Sequence, residues 1–364
     1  MIKRIYINNY KSLVGFELFF DSLNVLCGIN GTGKSSVFDA IQFISSLATG
    51  NCFFGAEGPF NQENVVSRLD FTSWIDSTEQ QFEIDIVQNE NEFKYIVHLD
   101  QTGNHVPRVI KEAALCNGVW LYTRDLDGVH FDEGHSGFPL DWHQAALASI
   151  HPTPGRERIK DLQEAFRQLV ILRPDVHSLR MESKAESQKL SISMDNFISW
   201  YRYLYQSQEF SDLHRDYLKE VWNDLKFMEL ENAGLSVKVL KLRFESVDLM
   251  FNQLSDGEKM LVCLYSVMAA LSLGNVNTVL IDEPDNYVCL QELQPWFLSL
   301  SELADSEHQI IIISHNGEIL DINTANTILF AREGHSMPTR IGALKNFEGM
   351  LPSEILARGW GELQ

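Results

Sequence analysis

Apolar residues near the two ends of the chain alternate between the spacing of strands and the spacing of helices. Short apolar segments at residues 2–7, 16–20 and 23–27 predict strands, and apolar side chains at three- and four-residue intervals predict a helix from Lys34 to about residue 47. From about residue 235 the alternation returns, with strands predicted at 235–244, 278–281 and 309–314 and helices at 257–273 and 290–303. Strands that alternate with helices predict a mainly parallel sheet covered on both faces.

The middle of the chain has a different pattern. Residues 82–87 and 94–99 alternate like the two strands of a hairpin, and strand-like segments at 119–124 and 129–131 flank Asp127-Gly128, a strong turn sequence. After a Pro- and Gly-containing break at 151–155, helical patterns cover residues 158–169, 195–206 and 211–228. We therefore predict one α/β domain built from residues 1–60 and 235–364. Residues 61–234 form an inserted region, with β-hairpins to about residue 150 and a helical lobe over 156–230.

A glycine-rich loop lies between the third predicted strand and the first predicted helix. Residues 28–35 read G-I-N-G-T-G-K-S and fit the phosphate-binding loop G-x-x-x-x-G-K-[ST] at every fixed position. Its glycines let backbone N–H groups surround phosphates, its lysine neutralises the β- and γ-phosphate oxygens, and its serine ligates Mg²⁺. The sequence therefore predicts an ATP site formed by Gly28, Asn30, Gly31, Thr32, Gly33, Lys34, Ser35 and Ser36.

Two adjacent carboxylates end a strand that is apolar throughout. Asp282 and Glu283 follow the apolar residues 279–281, as in the second magnesium-holding motif of phosphate-loop NTPases. Asp282 is positioned to hold Mg²⁺, and Glu283 is positioned to orient or deprotonate the attacking water. We predict that Ser35 and Asp282 are the metal ligands and that Glu283 and Lys34 are catalytic.

A polar segment precedes the apolar helix predicted at 257–273. Its sequence, L-S-D-G-E at residues 254–258, allows Ser255 to cap the helix and Glu258 to complete a capping box. A helix N-terminus that carries Ser and Gly is also suited to meet a γ-phosphate, since the helix dipole attracts anions. The two interpretations are compatible and both stay open.

The order of these motifs resembles one known group. Phosphate loop, L-S-D-G-E segment, acidic strand end and His315 follow one another as in the ABC-type branch of AAA ATPases that includes the RecF, SMC and OLD proteins. The opening sequence I-Y-I-N-N-Y-K-S at residues 5–12 is similar to that group's opening. The chain most resembles its compact ATPases without a long coiled coil or nuclease domain. The resemblance implies an α/β ATPase head with a phosphate loop, a mixed sheet and an inserted, mainly helical lobe.

The resemblance also implies roles for individual residues. Ser255, Gly257 and Glu258 would form a signature that acts in trans, on the nucleotide held by a second copy of the chain. Asp285 would begin a loop at the interface, and His315 would sense the γ-phosphate. The implied assembly is a homodimer or a higher even oligomer. The glutamine-bearing loop of ABC proteins has no clear counterpart, and its candidates are Gln42, Gln62 and Gln168.

Composition narrows the choice of partners. Twenty-nine basic and fifty acidic residues give a net charge of -21, which does not favour DNA as a general ligand but suits a cationic partner. Five scattered cysteines indicate a reducing cytoplasm rather than disulfides, and the longest apolar stretch, 260–273, is too short to span a bilayer. We expect a cytoplasmic protein without a membrane role.

Three interpretations of the ATPase cycle stay open. The favoured one is the sensor of a prokaryotic antiphage defence module whose effector is a separate nuclease or toxin. The others are a RecF-like ATPase of DNA repair or maintenance, and a slow-turnover scaffold that stays ATP-bound. Asp125 and Asp127 resemble the paired aspartates of magnesium-dependent nucleases, but they fall at a predicted turn without a partner glutamate strand.

Overall fold

The computed structural model describes residues 1–55, 65–103, 105–131, 137–322, 324–343, 351 and 353–354. Gln62, one candidate for the glutamine-bearing loop, lies outside these residues. The described strands are β1 (Ile2–Asn8), β2 (Phe16–Phe19), β3 (Leu23–Cys27), β4 (Phe53–Phe54), β5 (Val65–Val66), β6 (Glu79–Gln88), β7 (Asn91–Asp100), β8 (Arg108–Cys116), β9 (Val119–Arg124), β10 (Val129–His130), β11 (Leu169–Leu172), β12 (Leu225–Asn232), β13 (Lys238–Phe244), β14 (Asp248–Met250), β15 (Thr278–Asp282), β16 (Gln309–Ile313), β17 (Thr327–Ala331) and β18 (Arg340–Ala343). The described helices are α1 (Lys34–Ala48), α2 (Ala146–Ser149), α3 (Glu157–Arg167), α4 (Phe197–Leu204), α5 (Gln208–Lys219), α6 (Asp256–Ser272), α7 (Leu290–Leu303) and α8 (Gly317–Ile322).

The central sheet is mixed, as the resemblance implied. Its strand order is β11-β15-β16-β3-β17-β18, in which the first five strands are parallel and β18 is antiparallel to β17. Strands β3 and β16 are buried along their whole length, as expected for parallel strands covered on both faces. Because β3, β15 and β16 are neighbours and run in one direction, the segments that follow them meet at one edge of the sheet. These segments contain the phosphate loop, the adjacent carboxylates and His315.

A second sheet is antiparallel and contains the predicted hairpins. Its order is β10-β9-β8-β7-β6-β1-β2, so strands from the region expected to be inserted continue a sheet that begins at the N-terminus. The turn between β6 and β7 places Asn89 and Glu90 at φ 49° and 61°, the left-handed pair that a tight hairpin requires. Buried side chains of β6 pack in the same core as α1. This part of the region 61–234 therefore shares a hydrophobic core with α1.

One buried glutamine ties the two sheets together. Gln309, at the start of β16, accepts a hydrogen bond from the Ile2 N–H at 2.7 Å and donates to the Ile2 carbonyl at 2.6 Å. Its side-chain amide also donates to the Asp21 carbonyl at 3.0 Å. An amide side chain thereby satisfies backbone groups at the start of β1 as a neighbouring strand would.

The predicted helical lobe contains strands as well as helices. The helix expected at 158–169 ends at Arg167, and the apolar residues that follow form β11 of the central sheet. The helix expected at 211–228 ends at Lys219, and β12 begins at Leu225. Strands β12, β13 and β14 form a small antiparallel sheet, and α4 and α5 pack against α6.

Candidate nucleotide-binding site

Two glycines of the phosphate loop stand where no side chain fits. Gly28 has φ +139°, and a Cβ there would lie 2.2 Å from the carbonyl oxygen of Phe330. Gly33 has φ +101°, and its Cβ would lie 2.3 Å from Oγ1 of Thr339. Both positions need a residue without Cβ, for backbone conformation and for space. The loop that the sequence predicted is thus packed against the strand β17 and the start of β18.

Lys34 lies inside the curve of the loop. Its Nζ donates hydrogen bonds to the carbonyl oxygens of Gly28 at 2.7 Å and Ile29 at 3.1 Å, and the residue is 5% exposed. Burial lowers the pKa of Lys34, and nearby Cys27, Glu283 and Asp282 oppose that shift. The structure thus places a cation where the phosphate loop converges.

The opening segment of the chain supports the loop. Thr339 Oγ1 donates to the carbonyl of Thr32 at 2.8 Å and lies 2.8 Å from Oγ of Ser12. Lys11, next to Ser12, donates from Nζ to Asp39 Oδ2 at 2.6 Å. The residues 5–12 that carried part of the resemblance therefore contact the phosphate loop and α1.

A pocket of about 420 Å³ opens over the loop. It brings together many of the residues predicted for the site, namely Asn30, Gly31, Gly33, Lys34, Ser35, Ser36, Glu283 and His315, with Lys11 and Ser12 beside them. Its other lining residues were not found from the sequence, and they are Phe71, Ser73, Trp74, Arg332 and His335. The guanidinium of Arg332 lies over the Trp74 ring, 5.0 Å from its centroid. An aromatic ring and a cation thus line the pocket, and Nη1 of Arg332 donates to the carbonyl of Gly31 in the phosphate loop at 3.4 Å.

The acidic end of β15 lies directly against the phosphate loop. Asp282 lies close enough to Ser35 for that side chain to lower its pKa, and it accepts a hydrogen bond from Nε of Arg173 at 3.2 Å. Burial raises the pKa of Asp282, while Ser35 and Arg173 act in the opposite direction. The hydroxyl and the carboxylate predicted to hold Mg²⁺ are therefore adjacent.

Glu283 has an unusual backbone conformation. Its φ and ψ are 54° and 60°, in the left-handed region that glutamate seldom adopts, and its N–H donates to the carbonyl of Ile313 at 2.9 Å. Oε2 accepts from Asn286 at 2.9 Å, and Oε1 lies 3.5 Å from Nε2 of His315. The left-handed turn places the Glu283 carboxylate in the pocket beside His315.

Asp285 takes part in a contact within the chain. Ser314 Oγ donates to Asp285 Oδ1 at 3.2 Å, and burial raises the pKa of this carboxyl. Asp285 is absent from the lining of the pocket among the residues that the structure describes.

The predicted signature caps α6 and lies apart from the pocket. Ser255 Oγ accepts from the N–H of Glu258 at 3.3 Å, and Glu258 Oε2 accepts from the N–H of Ser255 at 2.7 Å, which completes a capping box. Ser255 is exposed, and a Cβ on Gly257 would lie 3.0 Å from the carbonyl oxygen of Tyr287. Within the described part of the chain, none of Ser255, Gly257 and Glu258 lines the pocket.

Two candidates for the glutamine-bearing loop have other hydrogen-bond partners: Gln42 donates to Ser46, and Gln168 accepts from Gln88 and Asn277.

Arg173, which follows β11, was also missed by the sequence analysis. The residue that reaches Asp282 from the neighbouring strand is an arginine. The run Leu169-Val170-Ile171-Leu172 before Arg-Pro is an apolar strand pattern that points to this position.

The described residues contain no cluster of three or more His, Cys, Asp or Glu side chains suited to a metal ion, and none of their helices is long and apolar enough to cross a membrane. Asp125, weighed above as a nuclease residue, accepts hydrogen bonds from the N–H groups of Asp127 and Gly128 and so closes the turn. Its carboxylate has a structural use there.

The fold and the pocket define an ABC-type ATPase of the RecF, SMC and OLD group. Residues 23–321, well over half of the chain, match the family described as "AAA domain, putative AbiEii toxin, Type IV TA system", and the chain belongs to this family. The family description names an AAA domain, and the Rad50 relative is described as an ATPase, which agrees with the predicted class of protein.

Curated relatives cover different shares of the chain. The OLD nuclease of Thermus scotoductus is 23% identical over 358 residues, which are 92% of this chain and 62% of the nuclease. The DNA double-strand break repair Rad50 ATPase of Methanocaldococcus jannaschii is 30% identical over 101 residues, 28% of this chain and 9% of that protein. The DNA replication and repair protein RecF of Bacteroides fragilis is 38% identical over 72 residues, 20% of this chain and 18% of RecF. The chain matches less than two thirds of the length of each relative.

Solved structures agree on the fold. The SMC head bound to the C-winged helix domain of ScpA aligns with 94% of this chain and 98% of its own at a TM-score of 0.59 and 16% identity. The SMC head domain from Thermotoga maritima aligns with a TM-score of 0.50 over 95% of this chain and 99% of its own, at 16% identity. The predicted ATPase-head fold is thereby confirmed.

Proposed function

We propose that the chain is a Mg²⁺-dependent ATPase that works as a pair, in which Ser255 and Gly257 of one copy cover the nucleotide held by the phosphate loop of the other. One observation carries this proposal. Lys34, Glu283 and His315 line one pocket, whereas Ser255 is exposed and Ser255, Gly257 and Glu258 lie outside the pocket. The N-terminus of α6 attracts anions because of its dipole, and it does not face the pocket of its own copy. The nucleotide of a second copy can supply the phosphate that it binds.

The residues of the pocket divide the reaction among them. Lys34 and the N–H groups of the loop hold the phosphates, since a buried cation is already fixed there. Glu283 accepts the proton of the attacking water or orients it, as a carboxylate at the pocket wall can. His315, 3.5 Å from Glu283, sets the direction of that carboxylate and senses the terminal phosphate.

Ser35 and Asp282 fit Mg²⁺. Their side chains lie close to each other, and Mg²⁺ sites in phosphate-transfer proteins use one or two such oxygen ligands together with substrate phosphates. When bound, Mg²⁺ neutralises charge on the β- and γ-phosphates. Asp282 orients the Ser35 hydroxyl for that contact.

For the cellular role, we propose the ATPase sensor of a prokaryotic antiphage defence module with a separate nuclease or toxin effector. The description of the family names a toxin and a type IV toxin–antitoxin system, and the relative with the longest match is a nuclease. The net charge of -21 suits a cationic protein partner better than DNA.

A RecF-like role in DNA maintenance is the second candidate, because RecF and Rad50 match the chain over shorter segments. ATP-dependent DNA binding by the chain alone would favour that role over the defence sensor. A slow-turnover scaffold, the third candidate, would keep its nucleotide through purification.

The molecular mass of the protein in solution, measured with and without ATP, tests the proposed pairing. Glu283→Gln removes the base and keeps the shape, so it should slow hydrolysis about a hundredfold or more while ATP binding persists. Light scattering should then show the variant as a monomer without nucleotide and as a dimer with Mg²⁺-ATP. Unchanged hydrolysis would contradict the role of Glu283, and a mass that ignores ATP would contradict the pairing. Glu292→Gln, an equal change on α7, should leave both measurements unaltered.

A further inference from the structure

Arg173 is held at the carboxyl end of the edge strand β11. Its N–H donates to the carbonyl of Ile192 at 2.7 Å, and Pro174 follows it, which restricts its backbone to extended conformations. The parallel pairing of β11 with β15 brings this end of β11 beside the end of β15. The guanidinium is therefore aimed along the edge of the sheet towards the acidic residues.

The guanidinium contacts three residues of the site, two on α1 and one at the end of β15. Nη1 forms an ion pair with Asp39 Oδ1 on α1 at 2.7 Å, and Nε donates to Asp282 Oδ2 at 3.2 Å. Nη2 donates to the backbone carbonyl of Ser35 at 3.0 Å. Nζ of Lys11 forms an ion pair with the other carboxylate oxygen of Asp39, Oδ2, at 2.6 Å. Arg173 thus occupies an oxygen of the carboxylate that is proposed to serve Mg²⁺.

We propose that Arg173 competes with the divalent cation for Asp282 and thereby raises the divalent-cation concentration that nucleotide binding requires. This inference rests on the proposed Mg²⁺ site at Ser35 and Asp282. A cation seated there either displaces the guanidinium from Asp282 or is repelled by it, and both cost free energy. Asp39 remains as a partner for the displaced guanidinium. A neutral side chain at this position would not compete in this way.

The test measures binding without hydrolysis. Mn²⁺ replaces Mg²⁺, ADP is the nucleotide, and electron paramagnetic resonance of free Mn²⁺ reports how much is bound. Arg173→Gln removes the charge and keeps a polar side chain, so the Mn²⁺ midpoint in the presence of ADP should fall about tenfold. Arg173→Lys keeps a positive charge near Asp282 and should stay within about threefold of the wild type.

Arg180→Gln is the matched control. It lies seven positions along the same segment, and its ion pair with Asp195 is on the surface, with 74% of the arginine side chain exposed. The same chemical change there should leave the Mn²⁺ midpoint unaltered. Circular dichroism and thermal melting check that each variant is folded.

The outcomes separate the two proposals. A midpoint for Arg173→Gln that is unchanged or higher than that of the wild type overturns the competition, because it makes Arg173 a support of the site. If the wild type shows no ADP-dependent Mn²⁺ binding, the proposed function itself fails, and this inference fails with it.

Discussion

The phosphate loop and the signature are both glycine-bearing segments at the start of a helix, yet they differ in how much of their surroundings the chain supplies. The loop is packed against its own chain at three positions, since Lys34 is buried and Gly28 and Gly33 leave no room for a Cβ. In the signature, Ser255 is exposed and takes part in the capping box with Glu258. The loop is therefore supported by more of its own chain than Ser255 is.

This difference teaches which effects each segment can have on its own. Changes in the loop should alter folding and nucleotide binding in a single copy. Changes in the signature should leave both nearly intact and appear only when two copies meet.

The largest expected effect compares the two segments through glycine. Gly28→Ala puts a Cβ 2.2 Å from the Phe330 carbonyl and should cost about 3 kcal/mol or more in the free energy of unfolding. Gly257→Ala puts a Cβ 3.0 Å from the Tyr287 carbonyl, within a helix that favours alanine, and should change it by less than about 1 kcal/mol. Urea denaturation measures both. Equal losses in the free energy of unfolding would contradict the proposed difference between the phosphate loop and the signature.

The next largest difference between the phosphate loop and the signature should appear in ADP affinity. Lys34→Ala removes the buried cation from the loop and should weaken ADP binding about a hundredfold by isothermal calorimetry. Lys259→Ala, beside the signature, loses only an ion pair with Asp256 and should bind ADP normally. Normal ADP affinity in Lys34→Ala would contradict the role given to the loop.

The signature should show the reverse behaviour. Ser255→Arg places a large cation on the exposed helix end, so hydrolysis should fall about a hundredfold and ATP-dependent dimers should disappear while ADP affinity stays unchanged. Ser207→Arg is the control, since Ser207 caps α5 through the N–H of Phe210 and its loss removes a cap elsewhere. A Ser255→Arg variant that still dimerises with ATP would show that the signature does not face a second copy.

The smallest expected effect concerns the support behind the signature helix. His214 of α5 is fully buried, 3.1 Å from the Val262 carbonyl and 3.0 Å from Ser266 Oγ on α6, and burial lowers its pKa from 6.5 to about 3. The unfolded chain takes up a proton below pH 6.5 and the folded chain does not. The free energy of unfolding should therefore decrease as the pH is lowered below 6.5, and this group should reduce it by about 2 kcal/mol at pH 5. His214→Gln should flatten that part of the urea stability profile, and an unchanged slope would contradict the assignment.

Much of the site was predictable because its motifs are local. The phosphate loop, Asp282 and Glu283 are contiguous with strands of strong apolar pattern, and His315 follows another such strand. Contiguity with β3, β15 and β16 was enough to place them at one edge of a parallel sheet.

The site residues that the sequence did not predict lie in segments whose apolar residues follow no clear helix or strand periodicity. Trp74 and Arg332 lie in irregular segments far apart along the chain, and only the fold brings them to the same pocket. Arg173 was missed because the helical pattern of α3 runs directly into the four apolar residues of β11. A short apolar run fits a helix turn and a buried strand equally well, and pairing with β15 decided between them.

The contact between Gly257 and Tyr287 has a consequence for timing. The Tyr287 carbonyl stands against the signature glycine, and the Tyr287 hydroxyl donates to Asp175 at 3.4 Å, two positions beyond Arg173. In the proposed pair, Tyr287 therefore connects the segment that covers the partner's nucleotide to the segment that holds Arg173 beside Asp282 in its own copy. Two pockets joined in this way should fill and empty together, so ATP occupancy should rise as one sigmoidal step rather than as two independent events.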